Sequence, residues 1–156
     1  MRSTRRFSTI LLVGACLGGF SACTSVLMNT PVSKNADGWV VTLSQVKEGP
    51  DEYVGEAAGV TPREGEKFIW TLVTVKNESG QEQTFSYEAC LLSGKSEARQ
   101  PLIIDRNAEV NSAADGSEPF TPGQERTRKL IYKYPKDQRP TRMKCGEIVL
   151  PIPGPR

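Results

Sequence analysis

Two acidic stretches contain the residue types that bind metal ions or cleave glycosidic bonds. Asp105, Asn107 and Glu109 alternate oxygen ligands as calcium-binding loops do, but Val110 follows where an EF-hand loop has its sharp-turn glycine. The other stretch could supply the paired carboxylates of a glycoside hydrolase, which must stand at a fixed separation in a cleft. Its acids are Glu48, Asp51, Glu52 and Glu56. Both stretches contain loop-forming residues, so solvated surface loops are the better interpretation.

The sequence lacks the residues that nucleotide binding and nucleophilic catalysis need. Residues 94–96, Gly-Lys-Ser, end like a phosphate-binding loop, but Ala89 stands where the first glycine of that loop is required. A hairpin turn explains them better. The sequence has no histidine, which excludes Ser-His-Asp and Cys-His catalysis and the usual zinc sites. We therefore predict no catalytic residue, no cofactor, no metal site and no enzyme activity.

The N-terminal residues have the three-part plan of a secretory signal. Arg2, Arg5 and Arg6 form a charged start, residues 7–20 are apolar, and two small residues precede Cys23. The apolar part is shorter than the ~20 residues of a bilayer span. Removing this segment leaves 17 of the 20 basic residues against 18 acidic ones, a net charge of −1 in place of +2. Nothing in that balance indicates a nucleic-acid partner.

Residues 20–23, Phe-Ser-Ala-Cys, resemble the lipobox of bacterial lipoproteins, although leucine is usual at the first position. The resemblance implies diacylglycerol on the Cys23 sulfur and cleavage before this residue. The residue that follows Cys23 is Thr24 and not aspartate, and this implies sorting to the outer membrane. The alternatives are a lipobox ending at Cys16, an ordinary signal cut near Ala22, and an uncleaved anchor. We predict an extracytoplasmic lipoprotein that is anchored in the membrane through lipidated Cys23.

Cys90 and Cys145 remain in the processed chain. An even pair in an oxidising compartment predicts a Cys90–Cys145 disulfide. The bond would close a loop of about 55 residues and contribute roughly 4 kcal/mol in the chain-entropy model. A redox pair normally has the spacing Cys-x-x-Cys, and a metal site needs more ligands than two cysteines. Both alternatives are therefore disfavoured.

The rest of the chain has the pattern of β-strands separated by Gly, Pro and polar turns. The segment Glu66–Asn77 has apolar residues on both faces, as a central strand has. Other strands are predicted at 39–46, 83–92, 101–105, 126–134 and 145–150, with loops at 49–65 and 107–119. The sequence therefore predicts an all-β, immunoglobulin-like antiparallel β-sandwich of about seven strands. The predicted boundaries are 1–22 for the signal, 23–37 for a tether, 38–151 for the domain and 152–156 for a tail.

Several segments resemble the telokin-like, immunoglobulin-like domains of bacterial lipoproteins and secreted proteins, a family of unknown function. They are residues 65–77, 121–124 and 130–135, together with Phe85. The resemblance covers roughly residues 37–151. It implies an extracytoplasmic immunoglobulin-like sandwich, with no enzyme activity and no site residues. The sequence departs from the family at 88–94, where the family often has an acid and a glycine.

Two side-chain groups could recognise a partner. One is a run of cations, which we interpret as solvent-facing positions of an exposed or edge strand, with a cationic face for an anionic polymer or acidic partner as the alternative. The run is Arg126, Arg128, Lys129, Lys133, Lys136, Arg139, Arg142 and Lys144. The other is a set of aromatic residues, which more often fill a core. The set is Trp39, Tyr53, Trp70, Tyr87, Tyr132 and Tyr134.

These features predict a lipid-anchored cell-envelope binding or structural module. It is non-catalytic and recognises an envelope protein or polymer through its loops. The alternative is an anchored inhibitor of a secreted hydrolase that acts through a protruding loop, for which 49–65 and 106–119 are the candidates.

Overall fold

The computed structural model describes residues 25–49, 61–95, 97–105 and 116–154. Their regular structure is antiparallel β-strand, apart from a single 3-10 turn at Tyr87–Ala89. The strands are β1 (Ser25–Met28), β2 (Val32–Ala36), β3 (Trp39–Glu48), β4 (Glu66–Asn77), β5 (Gln83–Ser86), β6 (Cys90–Ser93), β7 (Ile103–Asp105), β8 (Ser117–Phe120), β9 (Glu125–Pro135), β10 (Arg142–Cys145) and β11 (Ile148–Pro151). The predicted all-β class is confirmed.

Two layers of sheet enclose one core. The first layer is a six-stranded sheet in the order β1-β3-β4-β9-β7, in which β2 also pairs with β3. The second layer contains the three-stranded sheet β11-β10-β6 and the pair β5-β8. Apolar side chains of both layers form a continuous buried cluster. This sandwich-like arrangement is consistent with an immunoglobulin-like fold, and the described residues form eleven strands rather than about seven.

Strand β4 lies at the centre of the first layer, between β3 and β9. Its bounds are those predicted, and its two faces are both apolar in part. Ile69 and Val73 point into the main core, whereas Phe68 is fully buried on the opposite face. Ile131 of β9 is also buried outside the main core, diagonally across from Phe68. The sheet therefore packs apolar side chains on both faces, as the pattern predicted.

Residues 25–36, assigned to a tether from the sequence, are strands of this sheet. Strand β1 pairs with the end of β3, from Ser25 opposite Glu48, and β2 pairs with its start, ending at Ala36 opposite Trp39. The hairpin turn consists of Asp37 and Gly38, with φ of 53° and 79°, as a two-residue Asp-Gly turn requires. The tether prediction is therefore wrong over 25–36, because the polar composition of this segment belongs to edge strands.

Three other predicted boundaries are wrong for similar local reasons. The predicted strand 83–92 is two strands, β5 and β6, because the 3-10 turn shifts the buried positions from Phe85 to Cys90 and Leu92. The predicted strand 145–150 is the β10–β11 hairpin, with Gly146 at φ 59° in its turn. The predicted loop 107–119 contains strand residues from 117 onward. In the predicted tail, Ile152 is buried in the core.

The Cys90–Cys145 disulfide is present, as predicted, and both cysteines are buried. They lie directly opposite one another on β6 and β10, with their Cα atoms 4.0 Å apart. The bond therefore joins neighbouring strands of one sheet, whereas the disulfide of antibody domains joins the two sheets. The Tyr132 hydroxyl donates a hydrogen bond of 2.8 Å to the carbonyl oxygen of Cys90, which ties this sheet to the first layer.

The run of cations is solvent-facing only in part: Lys136, Arg142 and Lys144 are exposed, as interpreted from the sequence, whereas Arg126 and Arg128 are not. Strand β9 lies between β4 and β7, and Arg126 and Arg128 stand opposite the core residues Val75 and Val73. Both arginines pair with the buried carboxylate of Glu118 on β8, at 3.3 Å and 3.0 Å. The interpretation as solvent-facing positions is therefore wrong for these two residues, which join the two layers inside the sandwich.

The remaining contacts of the run also lie within the domain. Arg139 donates hydrogen bonds to the carbonyl oxygens of Leu27 and Pro153, at 2.6 and 2.9 Å. Arg142 donates a hydrogen bond of 3.1 Å to the Ser93 hydroxyl, and Lys129 lies 5.0 Å from the Trp70 ring centre. Five of the eight cations therefore hold parts of the fold together.

We expect Glu118→Gln to lower the free energy of unfolding by about 3 kcal/mol, because it leaves Arg126 and Arg128 without their buried counter-charge. The matched control is Glu78→Gln, which breaks the exposed pair with Lys76 and should change stability by no more than about 0.5 kcal/mol. Urea unfolding followed by tryptophan fluorescence measures both changes. Equal losses in the two variants would contradict the buried, layer-joining role of Glu118.

Burial raises the pKa of Tyr132 above its ordinary value of 10.0, and a hydrogen bond with Thr71 opposes this in part. The unfolded chain therefore releases the phenol proton near pH 10 while the folded chain keeps it, so stability falls as the pH rises above about 10. We expect this phenol to account for a loss of about 1.4 kcal/mol between pH 9 and pH 11. In Tyr132→Phe, urea unfolding at the two pH values should show a loss smaller by that amount. An unchanged pH dependence would contradict the assignment.

Candidate functional site

The two ends of the sandwich are defined by the direction of β3. Its last residue, Glu48, lies beside Ser25 at the start of β1, and its first residue is Trp39. Ten residues of extended strand span about 30 Å. We call the end at Ser25 the N-terminal end and the end at Trp39 the distal end. The segment that enters the domain is therefore far from the turns around Trp39.

A groove of about 270 Å³ lies at the distal end. It is formed by residues from both layers: the β2–β3 turn, the strand β5 with the 3-10 turn, and the β10–β11 turn. The lining residues are Ala36, Asp37, Trp39, Thr84, Phe85, Ser86, Ala89, Cys145, Gly146, Glu147 and Ile148. Most of them are apolar or small, and the disulfide contributes Cys145 to the wall. The groove is therefore an apolar recess at the open end of the sandwich.

Aromatic contacts fix the position of Trp39. Its ring makes edge-to-face contacts with Phe85 and Phe120, with ring centres 5.2 and 5.4 Å apart. Phe85 in turn contacts Tyr87 at 5.1 Å, and the Arg126 guanidinium lies 5.0 Å from the Phe120 ring centre. Trp39 is partly exposed, whereas Phe85 is 7% exposed. The groove floor is thus formed before any ligand arrives, which lowers the entropic cost of binding.

Two carboxylates give the groove its charge. Asp37 stands on the β2–β3 turn and Glu147 on the β10–β11 turn, and both are exposed. Among the described residues that line the groove there is no lysine or arginine. An apolar floor with negative charge at the rim suits a cationic group carried on an apolar stem.

Asn77 organises the turns around the groove. Its side-chain amide nitrogen donates hydrogen bonds to the carbonyl oxygens of Gln81 and Phe120, at 2.6 and 2.9 Å. Its side-chain oxygen accepts hydrogen bonds from the backbone N–H and the hydroxyl of Ser79, at 3.0 and 2.7 Å. The backbone of Asn77 bonds to Gln124, and the next residue donates to the Gly38 carbonyl. The side-chain amide therefore joins the β4–β5 turn to the end of β8, and backbone hydrogen bonds of Asn77 and Glu78 add the β8–β9 and β2–β3 turns.

A second candidate lies on the outer face of the first layer. Trp70 is flanked by the ammonium groups of Lys47 and Lys129, at 5.7 and 5.0 Å from its ring. The recess beside it has a volume of about 30 Å³, enough for a water molecule or two. A Cβ added at Gly49 would stand 1.8 Å from the indole nitrogen, so the backbone packs tightly against the ring. This cluster is better explained as packing than as a ligand site.

The aromatic residues singled out in the sequence divide into two groups. Tyr87, Tyr132 and Tyr134 are fully buried and belong to the core. This agrees with the prediction that such aromatic residues more often fill a core than form a binding face. Trp39 and Trp70 are partly exposed. Tyr53 lies outside the described residues. The structure thus separates two tryptophans that the sequence left equivalent: one lines the distal groove, and the other packs on the outer face.

Only a few residues of the acidic and glycine-containing motifs belong to the part of the chain that the structure describes. Glu48 forms an ion pair of 3.0 Å with Lys67, and a Cβ at Gly94 would stand 2.5 Å from the Arg139 carbonyl oxygen in a tight turn. The other residues of these motifs, Asp51, Glu52, Glu56, Ser96, Asn107 and Glu109, lie outside the described residues. Within the described ranges, no three side chains among His, Cys, Asp and Glu stand together as a metal site would require.

The predicted anchor is not described by the structure. Cys23 and Cys16 both lie outside the described residues. In the part of the chain that the structure covers, no helix is long and apolar enough to cross a membrane. The segment 49–65, proposed as an inhibitory loop, leaves β3 and enters β4 at the N-terminal end of the sandwich. The groove, in contrast, lies at the distal end.

Sequence reasoning missed the residues that shape this end of the molecule: Asp37, Asn77, Glu118 and Glu147. For two of them a signal exists, because Asp37-Gly38 and Gly146-Glu147 are two-residue hairpin turns between alternating strands. For Asn77, the bond to Phe120, 43 residues away, could not be read from the sequence, and for Glu118 the pairing with Arg126 and Arg128 depends on the β8–β9 hairpin, which lay partly in a predicted loop.

The comparisons with known proteins bear on the fold. A functionally unknown protein from Listeria monocytogenes EGD-e is similar in structure, with a TM-score of 0.56 and 12% identity over 86% of this chain and 90% of that chain. A conserved hypothetical protein from Bacillus anthracis has a TM-score of 0.56 and 17% identity over 83% and 97%. No family model and no curated protein matches the chain. Membership of the telokin-like family therefore stays a prediction.

We expect Asn77→Ala to lower the free energy of unfolding by about 2–3 kcal/mol, because buried hydrogen-bond partners lose their counterpart. Asn77→Asp should be at least as harmful, since it turns a carboxylate oxygen toward the Gln81 and Phe120 carbonyls. Asn35→Ala, an exposed position on β2, serves as the control and should change stability by no more than about 0.5 kcal/mol. Urea unfolding measures all three, and a mild Asn77→Ala effect would refute the role given to this amide.

Proposed function

We propose that the protein is a lipid-anchored, non-catalytic binding module of the bacterial cell envelope, tethered through Cys23. The observation that carries this proposal concerns the cysteines at positions 23, 90 and 145. Cys90 and Cys145 are bonded to each other inside the domain, and Cys23 stands two residues before the first strand. Disulfides persist in oxidising compartments, which agrees with export by a signal that ends at this cysteine.

The short distance between Cys23 and β1 supports a defined orientation. Thr24 is the single residue between the proposed lipidated cysteine and Ser25. An extended residue spans about 3.5 Å, so the N-terminal end of the sandwich would be held within roughly 10 Å of the lipid headgroups. Acyl chains on one residue anchor a protein stably when there are two or more. The domain would then stand on the membrane without a flexible spacer.

This orientation turns the distal groove away from the membrane. The length of β3 sets the separation between the two ends at about 30 Å. The Asp37 and Glu147 turns would therefore project outward, where a partner in the envelope could reach them. The hydrolase-inhibitor alternative is less favoured for segment 49–65, which joins the end that would face the lipid, and its other candidate, 106–119, lies mostly outside the described residues. Sorting to the outer membrane is part of the proposal and is supported by Thr24 alone.

The first experiment is the intact mass of the protein from its native membrane, with and without thiol reductant. We expect a mass equal to residues 23–156 plus acyl groups, about 2 Da lighter before reduction because one disulfide is present. Cys23→Ser should lack the acyl mass, whereas Cys16→Ser should be processed normally, which tests the alternative lipobox. A chain cut elsewhere without lipid, or an uncut chain with reduced thiols, would overturn the proposal.

A further inference from the structure

We infer that the distal groove binds one basic side chain, lysine or arginine, presented by a partner protein. The inference deepens the proposed function and rests on it, because it states what chemistry the binding module recognises. It stands on three observations: an apolar floor, a rim with two carboxylates, and no lysine or arginine among the lining residues that the structure describes.

The shape of the groove fits a side chain rather than a larger ligand. Sites for drug-sized molecules and cofactors occupy about 300–1,000 Å³, and this groove has about 270 Å³. Lysine and arginine have apolar stems and charged heads, so the stem can lie on Trp39 and Phe85 while the head reaches Asp37 and Glu147. The aromatic floor adds attraction for a cation that lies over the Trp39 ring.

The charge of the groove argues for a basic protein and against an anionic polymer. An anionic polymer would be repelled by two carboxylates that no cation offsets within the described lining of the groove. Arg126 comes near this end of the molecule, but it pairs with Glu118 and lies against Phe120. Arg128 pairs with the same carboxylate. Of the cations that suggested a polymer-binding face, Arg126 and Arg128 are thus held by Glu118. Three others, Lys136, Arg142 and Lys144, are exposed but are not among the described residues that line the groove, whose described rim is negative.

The two tryptophans make a direct test possible. The chain contains Trp39 in the groove and Trp70 on the outer face, and no other tryptophan. The full-length lipoprotein, labelled with 5-fluorotryptophan and purified in detergent, should give two fluorine NMR signals that Trp→Phe variants assign. The probes are the blocked tripeptides acetyl-Ala-Arg-Ala-amide and acetyl-Ala-Lys-Ala-amide, titrated to about 10 mM. Versions with glutamine or glutamate at the centre are the ligand controls.

We expect the arginine and lysine peptides to shift the Trp39 signal saturably, while the Trp70 signal stays in place. The double variant Asp37→Asn with Glu147→Gln should weaken this binding at least about tenfold, equivalent to about 1.4 kcal/mol. The matched control, Glu78→Gln with Glu125→Gln, removes the same charge from the distal end outside the groove and should bind normally.

Three results would overturn the inference: no saturable shift of Trp39 with either basic peptide, an equal shift with the glutamine peptide, or equal weakening in both double variants. The last result would mean general attraction to an acidic surface. None of them affects the mass measurement, so failure of the groove and failure of the lipid anchor are distinguishable.

Discussion

The distal end of this sandwich depends on the fully buried side chain of Asn77. A primary amide offers two donors and an acceptor with two lone pairs, and here all of them are used. The partners belong to turns that are more than 40 residues apart in the chain, so the amide fixes their relative positions. Trp39 pairs with Asn77 across β3 and β4, which links this network to the groove floor. The side chain thereby holds the β4–β5 turn against the end of β8, whose Phe120 ring contacts Trp39.

The elements that sequence predicted well are those whose pattern is local. The bounds of β4 follow from a twelve-residue run of alternating side chains, and the disulfide follows from the two cysteines that lie outside the predicted signal and lipidation site. The errors arise where one residue shifts the alternation of buried and exposed side chains along the chain. The 3-10 turn at Tyr87–Ala89 ends β5 and restarts the pattern one position later, and Gly146 splits an apparent strand into a hairpin. An alternation with a period of two does not reveal such a shift when each strand has only four residues.

The charge of β9 illustrates a different limit. Arg126 and Arg128 share the face of Leu130, Tyr132 and Tyr134, as the period of two indicates, and this places them toward the core. Composition nevertheless suggests solvent exposure, because arginine is rarely buried without a partner. The partner is Glu118, from a segment predicted as loop. The interior position of a cation is predictable only together with the anion that neutralises it.

The candidate groove could not be predicted from sequence because no single segment forms it. Its floor and rim come from three separate parts of the chain, and each contributes residues that are unremarkable where they stand: an Asp-Gly turn, a Thr-Phe-Ser strand, a Cys-Gly-Glu turn. What the sequence does contain is the constraint on orientation. Since β1 begins at Ser25, lipidation at Cys23 would hold the Glu48 end of β3 near the membrane, and the Asp37 and Glu147 turns at the other end would face outward. Under that proposal, the short link at one end and the acidic groove at the other would belong to one arrangement, in which attachment near the membrane would limit what the distal end can reach.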